Sequence, residues 1–81
     1  MTFTIYSKPG CKYCKKFQAV CDLEELPYVM YELNRDFSYE QFYEQFGEGS
    51  TFPQIVMGEI HLGGCQDAIR EMQEREICCL T

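Results

Sequence analysis

Phe3 and Ile5 alternate with threonines, which predicts a short strand from Thr2 to Tyr6 that Pro9-Gly10 then breaks. Tyr13, Phe17, Val20 and Cys21 follow at i, i+4, i+7 and i+8, the spacing of one helical face, and Pro27 ends that first helix after Leu26. The β-rich run Tyr28 to Leu33 predicts a second strand, and a helix between two strands implies a parallel crossover. Asn34 to Phe37 reads as a loop. Ser38 with Gln41 forms a capping box, so a second helix is expected with Tyr39, Phe42, Tyr43 and Phe46 on one aromatic face before Gly47. Gln54 to Met57 and Ile60 to Leu62, joined by Gly58-Glu59, predict an antiparallel hairpin with a type II′ turn. After Gly63-Gly64, the spacing of Cys65, Ala68, Ile69 and Met72 predicts a third helix, with Asp67 in its first turn where a carboxylate suits the helix dipole. The predicted order is β-α-β-α-β-β-α, with no internal repeat and no low-complexity segment.

Eighty-one residues allow one domain over 1–81, and 46% hydrophobic with 15% aromatic residues is ample for a packed core. Thirteen acidic against seven basic residues give a net charge of −6, which repels phosphate backbones and anionic headgroups. Nucleic acid and membrane are therefore not expected as partners. The first twenty residues contain no apolar run long enough for a signal or a membrane span, so a cytoplasmic protein is expected. In that reducing compartment, six cysteines point to catalytic or metal-binding use rather than to a disulfide scaffold.

Cys11-Lys12-Tyr13-Cys14 lies where the first strand turns into the first helix, and two thiols one helical turn apart close a small ring with little backbone change. Reversible dithiol–disulfide chemistry is the use this spacing permits. Cys11 is expected to be the reactive thiol, because a helix N-terminus and the cations Lys8, Lys12 and Lys15 all favour its thiolate. Cys14, one turn further in, is expected to resolve. The competing reading is a zinc site completed by Cys78 and Cys79, although adjacent cysteines chelate a single zinc poorly.

Three segments together resemble the glutaredoxin family, in its compact dithiol form: Lys8-Pro9-Gly10-Cys11-Lys12-Tyr13-Cys14, Thr51-Phe52-Pro53-Gln54-Ile55 and Leu62-Gly63-Gly64-Cys65-Gln66-Asp67. The resemblance covers essentially the whole chain. It implies an α/β thioredoxin fold, a four-stranded mixed sheet in order 2-1-3-4 flanked by three helices. It also implies an enzyme, a glutathione-dependent oxidoreductase that reduces protein disulfides and glutathione mixed disulfides. Cys11 and Cys14 are then the catalytic pair, and glutathione is the reductant, with no metal required. The implied glutathione site comprises Lys8, Tyr13, Thr51, Phe52, Pro53, Gly64, Cys65, Gln66 and Asp67. In it Pro53 is cis, Phe52 offers its backbone to the cysteinyl portion, and Asp67 with the helix N-terminus takes the γ-glutamyl end. The implied partners are glutathione and disulfide-containing or glutathionylated proteins, ribonucleotide reductase among them, and a monomer is expected.

Departures from the family pattern bear on these roles. Lys12 replaces the usual proline, Phe52 replaces a small β-branched residue and is expected to crowd the groove, and Tyr39 stands where an Arg or Gln commonly binds the glycyl carboxylate. Lys8 is then left to serve that end. Two rival readings share these residues: a redoxin reduced by thioredoxin reductase that supplies ribonucleotide reductase, and a carrier of a [2Fe–2S] cluster bridged by two copies of Cys11 and two glutathione thiols. The Gly63-Gly64-Cys65-Gln66-Asp67 segment favours glutathione over the first. Outside the motifs, Cys21 is expected in the core, Cys65 as a small packed thiol, and His61 as a solvated side chain on an edge strand. Cys78 and Cys79 read as exposed and incidental, and Glu71, Glu74, Arg75 and Glu76 as a polar helix face.

Overall fold

Strand β1, Phe3–Ser7, divides the molecule, because successive side chains of a strand point to opposite faces: Phe3, Ile5 and Ser7 are buried while Thr4 and Tyr6 are half-buried. The computed structural model describes residues 2–77. Within them α1 (Lys12–Leu23), β2 (Tyr28–Glu32), α2 (Tyr39–Phe46), β3 (Gln54–Met57), β4 (Ile60–Gly63) and α3 (Cys65–Glu74) follow in order. The strands form one sheet in the order β2-β1-β3-β4. β1 runs parallel to β2, with Phe3 opposite Tyr28 and Ser7 opposite Glu32. It runs antiparallel to β3, where Ile5 faces Ile55. β3 and β4 are antiparallel, with an irregularity between Ile55 and Val56. Gly58 at φ +63 supplies the turn between them, as the hairpin reading requires. The predicted α/β architecture and strand order are thus the observed ones.

Each sheet face carries its own packed layer. On the Phe3/Ile5 face, Phe17 and Cys21 of α1 and Cys65, Ala68 and Met72 of α3 close the main core together with Ile55, Met57 and Leu62. Phe3 and Phe17 meet with ring centroids 6.2 Å apart. On the other face Tyr6 contacts Tyr31, Phe37 and Phe46, at 5.7, 5.4 and 4.9 Å between ring centroids. Phe42 of α2 stacks on Phe52 at 4.1 Å and 10° and completes this aromatic layer. Phe37, assigned by sequence to a loop, is therefore a packing residue. Tyr13, expected on the buried helix face, is 45% exposed; Cys14, Phe17 and Cys21 make that face instead.

Helix termini explain where the sequence-predicted boundaries shift. α2 begins as predicted, with Ser38 Oγ accepting from the Gln41 N–H at 3.1 Å and Gln41 Oε1 accepting from the Ser38 N–H at 2.9 Å. α1 stops at Leu23, three residues before the predicted end. There Leu26 N–H donates to the Cys21 carbonyl at 2.8 Å and Glu25 N–H to that of Asp22 at 3.3 Å, around Glu25 at φ +56. α3 ends in the same way, with Ile77 N–H on Met72, Glu76 N–H on Gln73, and Glu76 at φ +57. Glycine is the usual residue at such a left-handed position, so neither stop was visible in composition. β2 also ends one residue early, at Glu32, and Leu33 instead forms an isolated bridge with Phe37. Asp36 holds that turn, accepting from Glu32 N–H at 2.8 Å and from Arg35; the Arg35 hydrogen bond is the largest of the effects that keep its carboxyl below the usual range.

Two outcomes follow from these packing features. Glu25→Gly removes the left-handed strain without touching a contact and should stabilise the chain by about 0.5–1 kcal/mol, read as a higher urea midpoint. Cys21 is fully buried, and that burial, with the Asp22 carboxylate adding to it, pushes its thiol up from 9.0 to about 11. Because the folded state then holds the proton more tightly, its stabilisation is complete below the unfolded value and is lost as pH rises from 9.0 towards about 11. Urea midpoints against pH should therefore fall more steeply for the native chain than for Cys21→Ala over that window, by on the order of 2 kcal/mol. Parallel profiles would show that the thiol does not contribute.

Candidate active site

The chain leaves β1 through a type II turn in which Pro9 fixes the first central position and Gly10, at φ +73, the second; Cys11 N–H closes it on the Lys8 carbonyl at 3.3 Å. This turn delivers Cys11 as the N-cap of α1, with φ −80 and ψ 111, where its sulfur accepts the Cys14 N–H at 3.2 Å. Cys11 and Cys14 are joined as a disulfide across a Cα–Cα distance of 5.3 Å. Both residues are buried, Cys11 at 6% exposure and Cys14 at 2%, so Cys11 is the more exposed residue of the pair. No acidic residue lies in the first turn of α1, and Lys8, Lys12, Lys15 and Lys16 are exposed around it.

Two further segments converge on this turn. Thr51-Phe52-Pro53 precedes β3, with a cis peptide bond between Phe52 and Pro53 and with Pro53 buried. Gly64 caps α3 without a side-chain hydrogen bond, which leaves the first-turn N–H groups of α3 free of a side-chain acceptor, and its Cα hydrogen side faces the Pro53 carbonyl. A groove of about 260 Å³ is lined by Tyr13 of the disulfide ring, by Thr51, Phe52 and Pro53, and by Gly64, Cys65, Gln66 and Asp67. Eight of the nine residues that the sequence assigned to ligand binding thus share one surface. The ninth, Lys8, lies over the Phe52 ring at 5.4 Å from its centroid.

Individual side chains refine the sequence picture. Phe52 borders the groove without filling it, because its ring lies parallel to Phe42 and edge-on to Tyr39, so the aromatic layer absorbs its bulk. Asp67 accepts from Arg70 at 2.9 Å, a partner the sequence did not indicate. A methyl on Gly63, at φ +99, would lie 3.2 Å from the Asp67 Cβ, so glycine there sets how closely the Asp67 side chain approaches the backbone. Burial pushes the Cys65 thiol up, with Lys16 opposing, so it is a packed thiol as expected. His61 is not merely solvated: its Nε2 is 2.7 Å from Gln54 Oε1 and its ring is 5.0 Å from Phe46. Gln54 Nε2 in turn donates to the Thr51 carbonyl at 2.8 Å, which assigns the donor role to His61 Nε2 and tethers the Thr51 loop from behind. A polar residue at a buried strand position, Gln54, was the available signal for this tether. Cys78 and Cys79, invoked for the zinc alternative, lie outside the described residues. Among the described residues no group of His, Cys, Asp or Glu is arranged to hold a metal ion, and no helix is long and apolar enough to cross a membrane.

Comparison with known proteins agrees with this arrangement. The glutaredoxin family model matches residues 3–62. Glutaredoxin 1 of Rickettsia prowazekii is 35% identical over 68 residues, 82% of this chain and 72% of the relative. The glutaredoxin of Neisseria meningitidis is 35% identical over 75 residues, 90% of this chain and 87% of the relative. Reduced Escherichia coli glutaredoxin superposes with a TM-score of 0.78 at 20% identity, over 96% of this chain and all of its own. The buckwheat glutaredoxin–glutathione complex gives 0.77 at 22%, over 93% of this chain and 71% of its own, and both superpositions speak to fold alone. With a matching family model, relatives of this identity and a disulfide in the Cys11/Cys14 pair, the chain belongs to the glutaredoxin family of thiol-disulfide oxidoreductases.

Proposed function

We propose that this chain uses glutathione as its electron donor, reducing glutathione mixed disulfides and protein disulfides with Cys11 as the nucleophile and Cys14 as the resolving thiol. The observation that carries the reading is convergence: three segments distant in sequence line one groove whose wall includes Tyr13 of the disulfide ring. The free N–H groups at the start of α3 suit the γ-glutamyl carboxylate, Asp67 its amine in company with Arg70, and Lys8 the glycyl carboxylate. Thr51, Phe52, Pro53, Gly64, Cys65 and Gln66 supply the backbone and walls between these charged ends.

In the mixed-disulfide route the Cys11 thiolate attacks the glutathionyl sulfur, forming a Cys11–glutathione disulfide and releasing the client thiolate, which takes a proton. A second glutathione thiolate attacks the same glutathionyl sulfur, releasing oxidised glutathione and the Cys11 thiolate. One glutathione is consumed for each client thiol freed. For a protein disulfide, Cys11 forms the mixed disulfide with the client and Cys14 displaces the client, leaving the Cys11–Cys14 disulfide seen here for two glutathiones to reduce. The N-cap hydrogen bond from Cys14 N–H, which stabilises a thiolate better than a thiol, makes Cys11 the better attacking and leaving group. In this reading the protein works as a cytoplasmic monomer, with client proteins that include ribonucleotide reductase.

The test is NADPH-coupled reduction of a glutathione mixed disulfide, driven either by glutathione with glutathione reductase or by thioredoxin reductase alone. Turnover is expected only with glutathione; turnover only with thioredoxin reductase would replace this reading by the redoxin one. Cys11→Ser should abolish turnover, by at least about 1,000-fold, whereas Cys14→Ser should retain at least about a tenth of the mixed-disulfide rate and lose the protein-disulfide route. Complete loss of mixed-disulfide turnover in Cys14→Ser would overturn the division of roles.

A further inference from the structure

All four lysines of the chain lie between residues 8 and 16, and no acidic residue precedes Asp22, although the protein carries thirteen. The three arginines, in contrast, lie elsewhere and are each held by a carboxylate: Arg35 by Asp36, Arg70 by Asp67 and Arg75 by Glu71. Among the described residues no lysine has a carboxylate within ion-pair distance, and all four are exposed. Lys8 and Lys16 lie over the rings of Phe52 and Tyr13, at 5.4 and 5.9 Å, two of the walls of the groove. Among the described residues Lys12 and Lys15 have no such partner.

Helix physics disfavours this arrangement. The N-terminus of a helix prefers anions, and α2 and α3 comply with Glu40 and Asp67 in their first turns. α1 carries Lys12 in its first turn and Lys15 and Lys16 directly after it, with Lys12 three and four residues from like charges. The cations therefore oppose the dipole and one another. The Cys11 thiolate and glutathione do not account for all of them: the thiolate is a single charge, and of the two glutathione carboxylates one is assigned to α3 and the other to Lys8, which leaves the Lys12, Lys15 and Lys16 group in excess. A larger anionic partner matches that excess.

We infer that the Lys12, Lys15 and Lys16 rim is a docking surface for the protein client, and that it selects a cysteine flanked by aspartate or glutamate. The inference builds on the proposed reduction of mixed disulfides by Cys11. An acidic segment seated on the rim brings its own sulfur to Cys11, relieves the lysine repulsion and contacts the lysine cluster of a protein whose net charge of −6 otherwise repels acidic partners.

The test compares kcat/KM of the full chain for three glutathionylated peptides of equal length, with the cysteine flanked by Glu, Gln or Lys, beside the small mixed disulfide of glutathione and cysteine. The Glu peptide should exceed the Gln peptide by about tenfold at low salt, and the ratio should approach unity near about 0.5 M NaCl. Lys12→Gln with Lys15→Gln should collapse the ratio, and the corresponding arginine pair should restore it. Because the ratio is taken within one protein, any change in Cys11 reactivity cancels. Turnover indifferent to flanking charge, or a ratio unchanged by salt in the native chain, overturns the inference and leaves the glutathione reading standing. No turnover of any substrate, the small one included, removes both. Stronger inhibition of Glu-peptide turnover by a single-stranded oligonucleotide than by polyglutamate overturns it in favour of nucleic acid.

Discussion

The hydrogen bond from Cys14 N–H to Cys11 Sγ is the interaction on which the site depends. An N-cap ordinarily calls for the oxygen of Ser, Thr, Asp or Asn; here a sulfur fills the place, so the atom that starts the helix is also the one proposed as the nucleophile. The arrangement requires the type II turn at Pro9-Gly10 upstream, and it requires α1 to be held firmly downstream by Cys14, Phe17 and Cys21 in the core. Truncating Phe17 would be expected to cost about 3–5 kcal/mol, a large part of the stability of a domain this small. Core packing and thiol reactivity are in this sense one problem: a loosened α1 is also a loosened cap.

The rest of the fold supplies what a helix N-terminus lacks on its own. β3 and the start of α3 carry the Pro53 loop and an uncapped set of N–H groups to the same end of the sheet as Cys11, and the Thr51–Gln54–His61 tether fixes that loop from the aromatic face. Two packing layers are needed because the sheet is covered on both sides. The aromatic layer under α2 has a second effect, since stacking on Phe42 keeps the bulk of Phe52 at the rim of the groove. Charge placement follows the opposite logic from the packing: α2 and α3 obey the helix dipole and α1 violates it. The violation lies beside Cys11, where the proposed thiolate chemistry would profit from it.

Much of this was legible in the sequence because the signals were local. The element order, the Ser38–Gln41 capping box and the Gly58-Glu59 hairpin each rest on residues within a few positions of one another. The three groove segments were legible only through family resemblance, since nothing local in Thr51-Phe52-Pro53 announces that it will meet Tyr13. What escaped reading has identifiable causes. Glu25 and Glu76 occupy left-handed positions without the glycine that usually marks them, so the helix ends were missed. Tyr13 matched the apolar spacing but lies one step off the buried stripe that begins at Cys14. Phe37 packs from a loop, and the Gln54–His61 pair bridges two strands, so periodicity could report neither.

The central claim, that the N-cap position and the surrounding cations hold Cys11 as a thiolate, is tested most directly on the reduced protein by the pH profile of iodoacetamide alkylation, with the modified cysteine identified by mass spectrometry. The account predicts that Cys11 is alkylated first and that its rate reaches its plateau well below the ordinary cysteine midpoint of about 8.5, while Cys21 and Cys65 stay unmodified. A Cys11 profile that rises only through about pH 8.5, or preferential alkylation of Cys14, would contradict it.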